Sequence, residues 1–221
     1  YQPVESRLQI TRKCLKVLAE FRNPVAIITK NQLVTRDIDL LQELARHNAA
    51  CVSVSVTTLD ADLARIMEPR TSSPALRLAA IEALARADVP VGVMVAPVIP
   101  GLTDHEIPSI VSAAAAAGAR QAGYTVVRLP YAVAELFEQW LTEHMPDRKK
   151  KILSHIRDIR GGKLNDPEFK SRMRGEGIYA EQIKSLFRLA CRRAGLNSEK
   201  SALSTASFRR PGSTQLSLFE R

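Results

Sequence analysis

Four short apolar runs, each set off from the next by a helical pattern, constrain this chain more than any other feature of it. The runs are Val25–Thr29, Cys51–Thr57, Val91–Val98 and Tyr124–Arg128, all rich in β-branched residues. Between and before them the spacing turns helical. Leu8, Thr11, Leu15 and Leu18 share one face of residues 4–22, and Ile38, Leu41 and Leu44 share one face of 36–47, with Thr35 as the expected N-cap. Residues 74–88 and 104–117 are also expected to be helical. The second of these starts on Thr103-Asp104-His105-Glu106, which has capping-box spacing, and ends at Gly118. A strand-plus-helix repeat of roughly 30 to 40 residues is the length of a parallel crossover. Strands that are apolar at most positions need helices over them. The expected fold class is therefore α/β, a partial (βα) TIM-like barrel. A doubly wound sheet meets the same periodicity and stays open as the alternative.

Beyond Pro130 the strands stop. Helical patterns are expected at 132–144, 149–160 (ended by Gly161-Gly162) and 178–194, and the Ser/Thr/Arg/Pro-rich stretch from Asn197 onward is expected to be disordered. This divides the chain into a barrel at 1–130, a basic helical extension at 131–196 and a tail at 197–221. Charge divides it in a similar place. Residues 1–145 carry 14 basic and 15 acidic side chains, net −1, whereas 146–221 carry 18 and 8, net +10. A neutral core joined to a basic appendage suits a polyanionic partner. The longest charge-free apolar stretch, 89–102, is too short for a bilayer and contains three prolines, so no membrane partner is expected. Cys14, Cys51 and Cys191 are too few and too scattered for a disulfide scaffold or a CxxC metal site, which fits a reduced, cytoplasmic setting. The four histidines show no metal spacing.

In parallel βα folds the chemistry gathers at the C-terminal ends of the strands. That rule selects Lys30, a fixed cation suited to a carboxylate or phosphate. It also selects the row Ser53, Ser55 and Thr57, whose small hydroxyls suit a sugar edge, and the turn containing Pro97, Pro100 and Gly101, where a ligand can approach the backbone closely. The fourth strand ends in Arg128. No catalytic triad, Walker pattern or glycine-rich phosphate loop accompanies these residues.

Several segments, in order, resemble radical S-adenosylmethionine (SAM) proteins of the spore photoproduct lyase-like type, in a bacterial branch often described as DNA repair photolyase-like. They are Tyr1-Gln2-Pro3-Val4-Glu5, Ile28-Thr29-Lys30, the stretch 53–60 with Met67-Glu68-Pro69-Arg70-Thr71, the stretch 96–104, and Gly175-x-Gly177-x-Tyr179. The resemblance implies a (βα)6 partial barrel holding a [4Fe-4S] cluster and SAM, whose reductive cleavage yields a 5′-deoxyadenosyl radical. It implies that Lys30 holds the methionine carboxylate. Ser55, with Ser53 or Thr57 beside it, would reach the ribose or methionine part. The turn from Pro97 to Gly101 would flank the adenine, and Gln2 and Glu5 would lie toward the cluster. The family's CxxxCxxC loop does not occur in this sequence and would precede Tyr1. The expectation is thus a chain lacking the family's first two strands and inactive in radical chemistry by itself.

Two further patterns concern partners. Lys184, Arg188 and Arg192 recur every four residues, one basic stripe on a helix, suited to the phosphates of DNA or RNA. Gln215-Leu216-Ser217-Leu218-Phe219 resembles the pentapeptide by which bacterial replication and repair proteins bind the sliding clamp. Gln215 would make backbone-directed hydrogen bonds, while Leu216, Leu218 and Phe219 would fill apolar pockets. The expected function is a DNA-repair or nucleic-acid-modifying radical SAM enzyme. A non-enzymatic DNA- or clamp-associated adaptor on a degenerate barrel, and a radical SAM enzyme for another substrate class, are the alternatives.

Overall fold

The computed structural model describes residues 1–169, 171–198 and 202–210. The four strands are β1 (Val25–Thr29), β2 (Ala50–Val56), β3 (Val91–Val98) and β4 (Gln121–Val126). They form one parallel sheet in the order β1-β2-β3-β4. Consecutive order decides between the two candidate architectures. Right-handed crossovers between sequential neighbours put every helix on the same face, whereas a doubly wound sheet needs a reversal of strand order. The sheet is therefore a segment of a barrel wall.

Its two faces differ as that geometry requires. Val52, Val54, Val56, Val91, Val93, Val95, Tyr124 and Val126 belong to one apolar cluster with the helices α2 (Ile10–Phe21), α3 (Ile38–Ala45), α5 (Pro74–Arg86) and α6 (Ile107–Ala116). The opposite face carries Ile28 beside Ser53, Ser53 beside Gly92, and Ser55 beside Met94. On the edge strand Ile28 is 65% exposed. The Ser/Val alternation of β2 thus has a physical cause: valines face the helix layer and serines face the concave side.

The helix expected over residues 4–22 is broken. Gln9 takes a left-handed conformation (φ 51°) between α1 (Glu5–Leu8) and α2. The Glu5 carboxylate turns back to accept from Thr11 N (2.9 Å) and so caps α2. Thr35 is not an N-cap. Residues 32–37 form a 3-10 segment that begins at Asn31, whose Oδ1 accepts from Leu33 N. A short helix unforeseen in the sequence, α4 (Ala61–Met67), starts on Asp60, whose side chain accepts from the amides of Asp62 and Leu63. The capping box at 103–106 does not form either. Thr103 Oγ1 accepts from Ile99 N (2.9 Å), closing the turn after β3. Glu106 reaches instead to Thr58 Oγ1 (2.6 Å) and Leu59 N (2.7 Å), tying the β3 turn to the end of β2.

Three more helices follow: α7 (Val133–His144), α8 (Pro146–Asp158) and α9 (Ile178–Arg193). Helices α7 and α8 build a second cluster, in which Leu141, Ile152, Leu153 and Ile156 meet Ile99, Leu102, Val127 and Leu129 over the C-terminal ends of β3 and β4. Helix α9 packs Ile183, Phe187, Ala190 and Cys191 into the main core, with the Phe187 and Tyr124 rings 4.7 Å apart. The described part of the expected disordered tail has firm contacts. Asn197 exchanges hydrogen bonds with Ala122 (2.8 and 3.1 Å), and Ser204 N donates to Asn48 O. Arg209 donates to the carbonyls of Glu20 and Phe21, which α2 leaves free at its C-terminal end, and Phe208 packs on Phe21. Gln215, Leu216, Leu218 and Phe219 lie outside the described residues. No helix among the described residues is long and apolar enough to cross a membrane.

Candidate functional site

Because all four strands run the same way, their C-terminal ends share one rim, and the site is built there. Lys30 directly follows β1. Its ammonium meets Glu68 Oε1, Thr57 Oγ1 (3.2 Å) and the Ala96 carbonyl (3.1 Å). An ammonium has three N–H donors, and here each finds an acceptor. The Thr57 hydroxyl stands 2.9 Å from Ala96 O and 3.0 Å from Glu68 Oε1. One lysine therefore locks together the ends of β1, β2 and β3.

Glu68 is held from its other side by Arg77, one of the most buried side chains in the molecule at 1% exposure. The Arg77 guanidinium donates to Glu68 Oε2 (2.6 Å), Thr71 Oγ1 (2.5 Å), Ser55 O (3.1 Å) and Ser72 O (2.8 Å). Burial by itself would raise the Glu68 carboxyl, but Lys30 and Arg77 outweigh it and hold the group below the ordinary carboxylate range. The result is an ordered Lys30–Glu68–Arg77 series at the rim. Neither Arg77 nor Glu68 was singled out for this role by the sequence. Arg77 sits in an Ala/Leu-rich helix where an arginine reads as a surface residue, and only the fold brings it under Glu68.

Beside this series lies a cleft of about 570 Å³, lined by Tyr1, Gln2, Pro3, Val4, Lys30, Asn31, Arg70 and Thr71. Gln2 thus lies at the site. Glu5 does not line it: its carboxylate is buried under Arg36 (3.1 Å) and Thr11. Burial opposes the ionised form of Glu5, yet the bonds from Arg36 and Thr11 prevail and lower its pKa. Arg36 also pairs with Asp37 (2.8 Å), which accepts from Arg12 (3.0 Å) and the Tyr1 hydroxyl (2.9 Å). This network fixes the first residues of the chain against the 3-10 segment, so that the Tyr1–Val4 wall of the cleft is held in place.

The remaining sequence candidates divide. Ser53 and Ser55 face the concave side next to the rim, Ser53 half-buried and Ser55 buried. Pro97 follows the cis Ala96–Pro97 bond, and Ala96 O is an acceptor for both Lys30 and Thr57. Pro100 is buried. The close approach that Gly101 permits is taken by the protein itself. Its φ is +74°, and a Cβ there would stand 2.9 Å from the His155 ring. Arg148 donates to Gly101 O (2.7 Å), and Gly101 N donates to Asp104, which also accepts from Tyr179. The His155 and Tyr179 rings stack at 4.4 Å. Helices α8 and α9 thus grip the outer side of this turn. Lys184, Arg188 and Arg192 lie on α9 in the outer helix layer, Lys184 paired with Glu181 (2.8 Å) and the two arginines exposed; the fold does not bring them to the rim.

The radical SAM superfamily pattern matches residues 4–114. The chain belongs to the radical SAM superfamily. Uncharacterized proteins of Mycobacterium tuberculosis and Mycobacterium bovis are 32% identical to it over 177 residues, 79% of this chain and 51% of theirs. An uncharacterized protein of Methanocaldococcus jannaschii is 29% identical over 106 residues, 48% of this chain and 39% of its own. The chain spans about half the length of the curated mycobacterial relatives it matches. No solved structure matches it. Superfamily members use SAM and a [4Fe-4S] cluster. Such a cluster needs thiolates held close together. Here Cys14 is exposed on α2, Cys51 half-buried on β2 and Cys191 buried on α9. Burial raises the thiol pKa of Cys51 and Cys191, the opposite of what a ligand needs. Among the described residues no group of three or more His, Cys, Asp or Glu is placed to hold a metal. The residues present do not fit the cluster.

Proposed function

We infer that this chain holds SAM at the rim of its sheet and presents it to a nucleic-acid substrate, as the SAM-side part of a spore photoproduct lyase-like radical enzyme acting in DNA repair or nucleic-acid modification. The observation that carries the reading is the cleft beside the ordered Lys30–Glu68–Arg77 series, at the strand ends of a superfamily barrel. Its volume lies in the range of small-molecule sites. Its donor set suits an amino-acid–nucleoside conjugate. Arg70 is exposed on the cleft wall and can meet a carboxylate. The amides of Asn31 and Gln2 suit hydroxyl or amino groups. Lys30, with its donors engaged by the protein, acts here as the residue that positions Thr57, Glu68 and the β3 turn. The cluster supplies the electron for SAM cleavage in superfamily enzymes; the described residues offer no ligand set for it, and on this reading the chain is inactive in that step by itself.

The nucleic-acid part of the reading is supported by the net +10 of residues 146–221, and the clamp part by the sequence of 215–219. Anaerobic reconstitution with iron and sulfide should leave the chain without a stoichiometric cubane spectrum; a full cubane would contradict the reading. For the tail, immobilised sliding clamp should retain the chain and lose it on Leu218→Ala with Phe219→Ala. Equal recovery of the two would reject that partner.

A further inference from the structure

A second set of cations sits at the end of β4, away from the SAM cleft. Arg160, at the end of α8, is 5% exposed. It donates to Ser171 O (3.0 Å) and Val127 O (2.9 Å), both main-chain carbonyls, while its Nε is buried with no hydrogen-bond partner among the described residues. Those two carbonyls belong to the residues next to Arg172 and Arg128. The backbone of the 171–174 turn is itself joined to β4, Val126 N donating to Met173 O (3.0 Å). Arg128 and Arg172 each also have a buried Nε with no partner among the described residues. The Arg160 guanidinium thus bonds the main chain directly beside both Arg128 and Arg172, so that three arginine-bearing segments adjoin along one seam at the rim.

Counter-charge at the seam is scant. No carboxylate of the described residues stands in an ion pair with any of the three. Asp166 is the acid that acts on Arg160, and it is already engaged by Ser171 Oγ and Glu168 N. Burial, with Arg128 nearby, holds the Arg160 pKa below its ordinary value against the pull of Asp166. An excess of half-buried guanidinium is costly unless an anion joins it, and guanidinium matches oxyanion geometry. Next to the seam the Phe169 ring is 79% exposed, with the Arg172 guanidinium 4.2 Å over it. Tyr131, three residues past Arg128, is 97% exposed. Exposed aromatic rings beside phosphate-binding cations are the components of single-strand recognition.

We propose that Arg128, Arg160 and Arg172 form an oxyanion site that takes a backbone phosphate of a polynucleotide substrate, with Phe169 as a stacking surface for the adjoining base. The proposal rests on the nucleic-acid reading above and assigns that substrate a place on this chain. Arg160 supports the local fold, so the test uses Arg128→Gln and Arg172→Gln in the 221-residue chain, with unchanged thermal unfolding as the fold control. Fluorescence anisotropy with a 5′-labelled single-stranded DNA 15-mer should show salt-dependent binding. Each substitution should weaken it roughly tenfold and make the log K against log salt slope shallower by about one. The triple variant Lys184→Gln, Arg188→Gln, Arg192→Gln on α9 should bind within about twofold of wild type. Binding lost in the α9 variant but intact in both rim variants overturns the site. If the 15-mer does not bind at all, inorganic phosphate distinguishes the two readings by NMR. Shifted Arg128 and Arg172 Nε–H resonances uphold the oxyanion site and assign the failure to the nucleic-acid reading. Unmoved resonances overturn the site as well.

Discussion

Lys30 was conspicuous in the sequence because a strand tip is where a cation becomes functional. What it does there depends on residues 38 and 47 positions away. Glu68 and Arg77 gain their meaning from being buried together, and burial of a charge is not written in local pattern. Arg77→Met should remove the group that holds Glu68 Oε2, Thr71 and the Ser55 carbonyl at once. Breaking a buried ion pair from one side costs about 3 kcal/mol, which in a chain of this size lowers the unfolding midpoint by roughly 6–12 °C. Calorimetry or circular dichroism reads it directly; a midpoint within two degrees of wild type would remove Arg77 from the account. Gly101 carries the complementary lesson. The sequence suggested that a ligand could approach its backbone closely; in the fold the close neighbour is His155, 54 residues on, and the φ is positive.

At the level of elements, strands were the most legible feature. Val25–Thr29 and Val91–Val98 match their sequence runs at both ends, because a buried parallel strand reads as an uninterrupted apolar run. Helix starts were less legible. Thr35, and Thr103 with Glu106, have capping residues at capping spacing, yet the chain uses Asn31 for the first start and employs Thr103 and Glu106 to close and anchor the β3 turn. Short polar side chains satisfy whichever backbone amide the fold presents, so spacing identifies the residue type and not its partner. The break at Gln9 follows from a tertiary network of the same kind, centred on fully buried Asp37. Burial opposes the Asp37 charge, but Arg36, Arg12 and Tyr1 lower its pKa below the ordinary value. A carboxyl with a depressed native pKa stabilises the fold above its unfolded pKa, near 4. That contribution disappears as pH falls through the native value. Stability should therefore be flat from pH 7 to about 5 and decline below about 4. Asp37→Asn should be less stable at neutral pH and show a shallower acid decline. An identical acid limb in urea titrations of the two proteins would show that Asp37 is not the titrating anchor.

For the whole molecule, consecutive strand order produces a sheet with one face covered by helices, one concave face on which Ser53 and Ser55 stand among Ile28, Gly92 and Met94, and all the strand ends on one rim. The rim holds an ordered Lys30–Glu68–Arg77 series and cleft at the β1 end, and three arginines at the β4 end. This division was only partly legible. The charge count located the basic excess in the last third, four-residue spacing singled out the α9 stripe, and the strand-end rule singled out Arg128; that Arg160 reaches the main chain beside Arg128 and Arg172 is visible only in the fold. The central claim is that this radical SAM barrel segment binds SAM at the cleft through its own residues. Isothermal titration of SAM into the 221-residue chain tests it most directly. One equivalent should bind. Arg70→Gln should weaken binding about tenfold without altering thermal stability, as expected for loss of one charge-assisted contact, and Lys30→Met should weaken binding and lower the unfolding midpoint together. No saturable binding at millimolar SAM, or undiminished binding by both variants, would contradict the account.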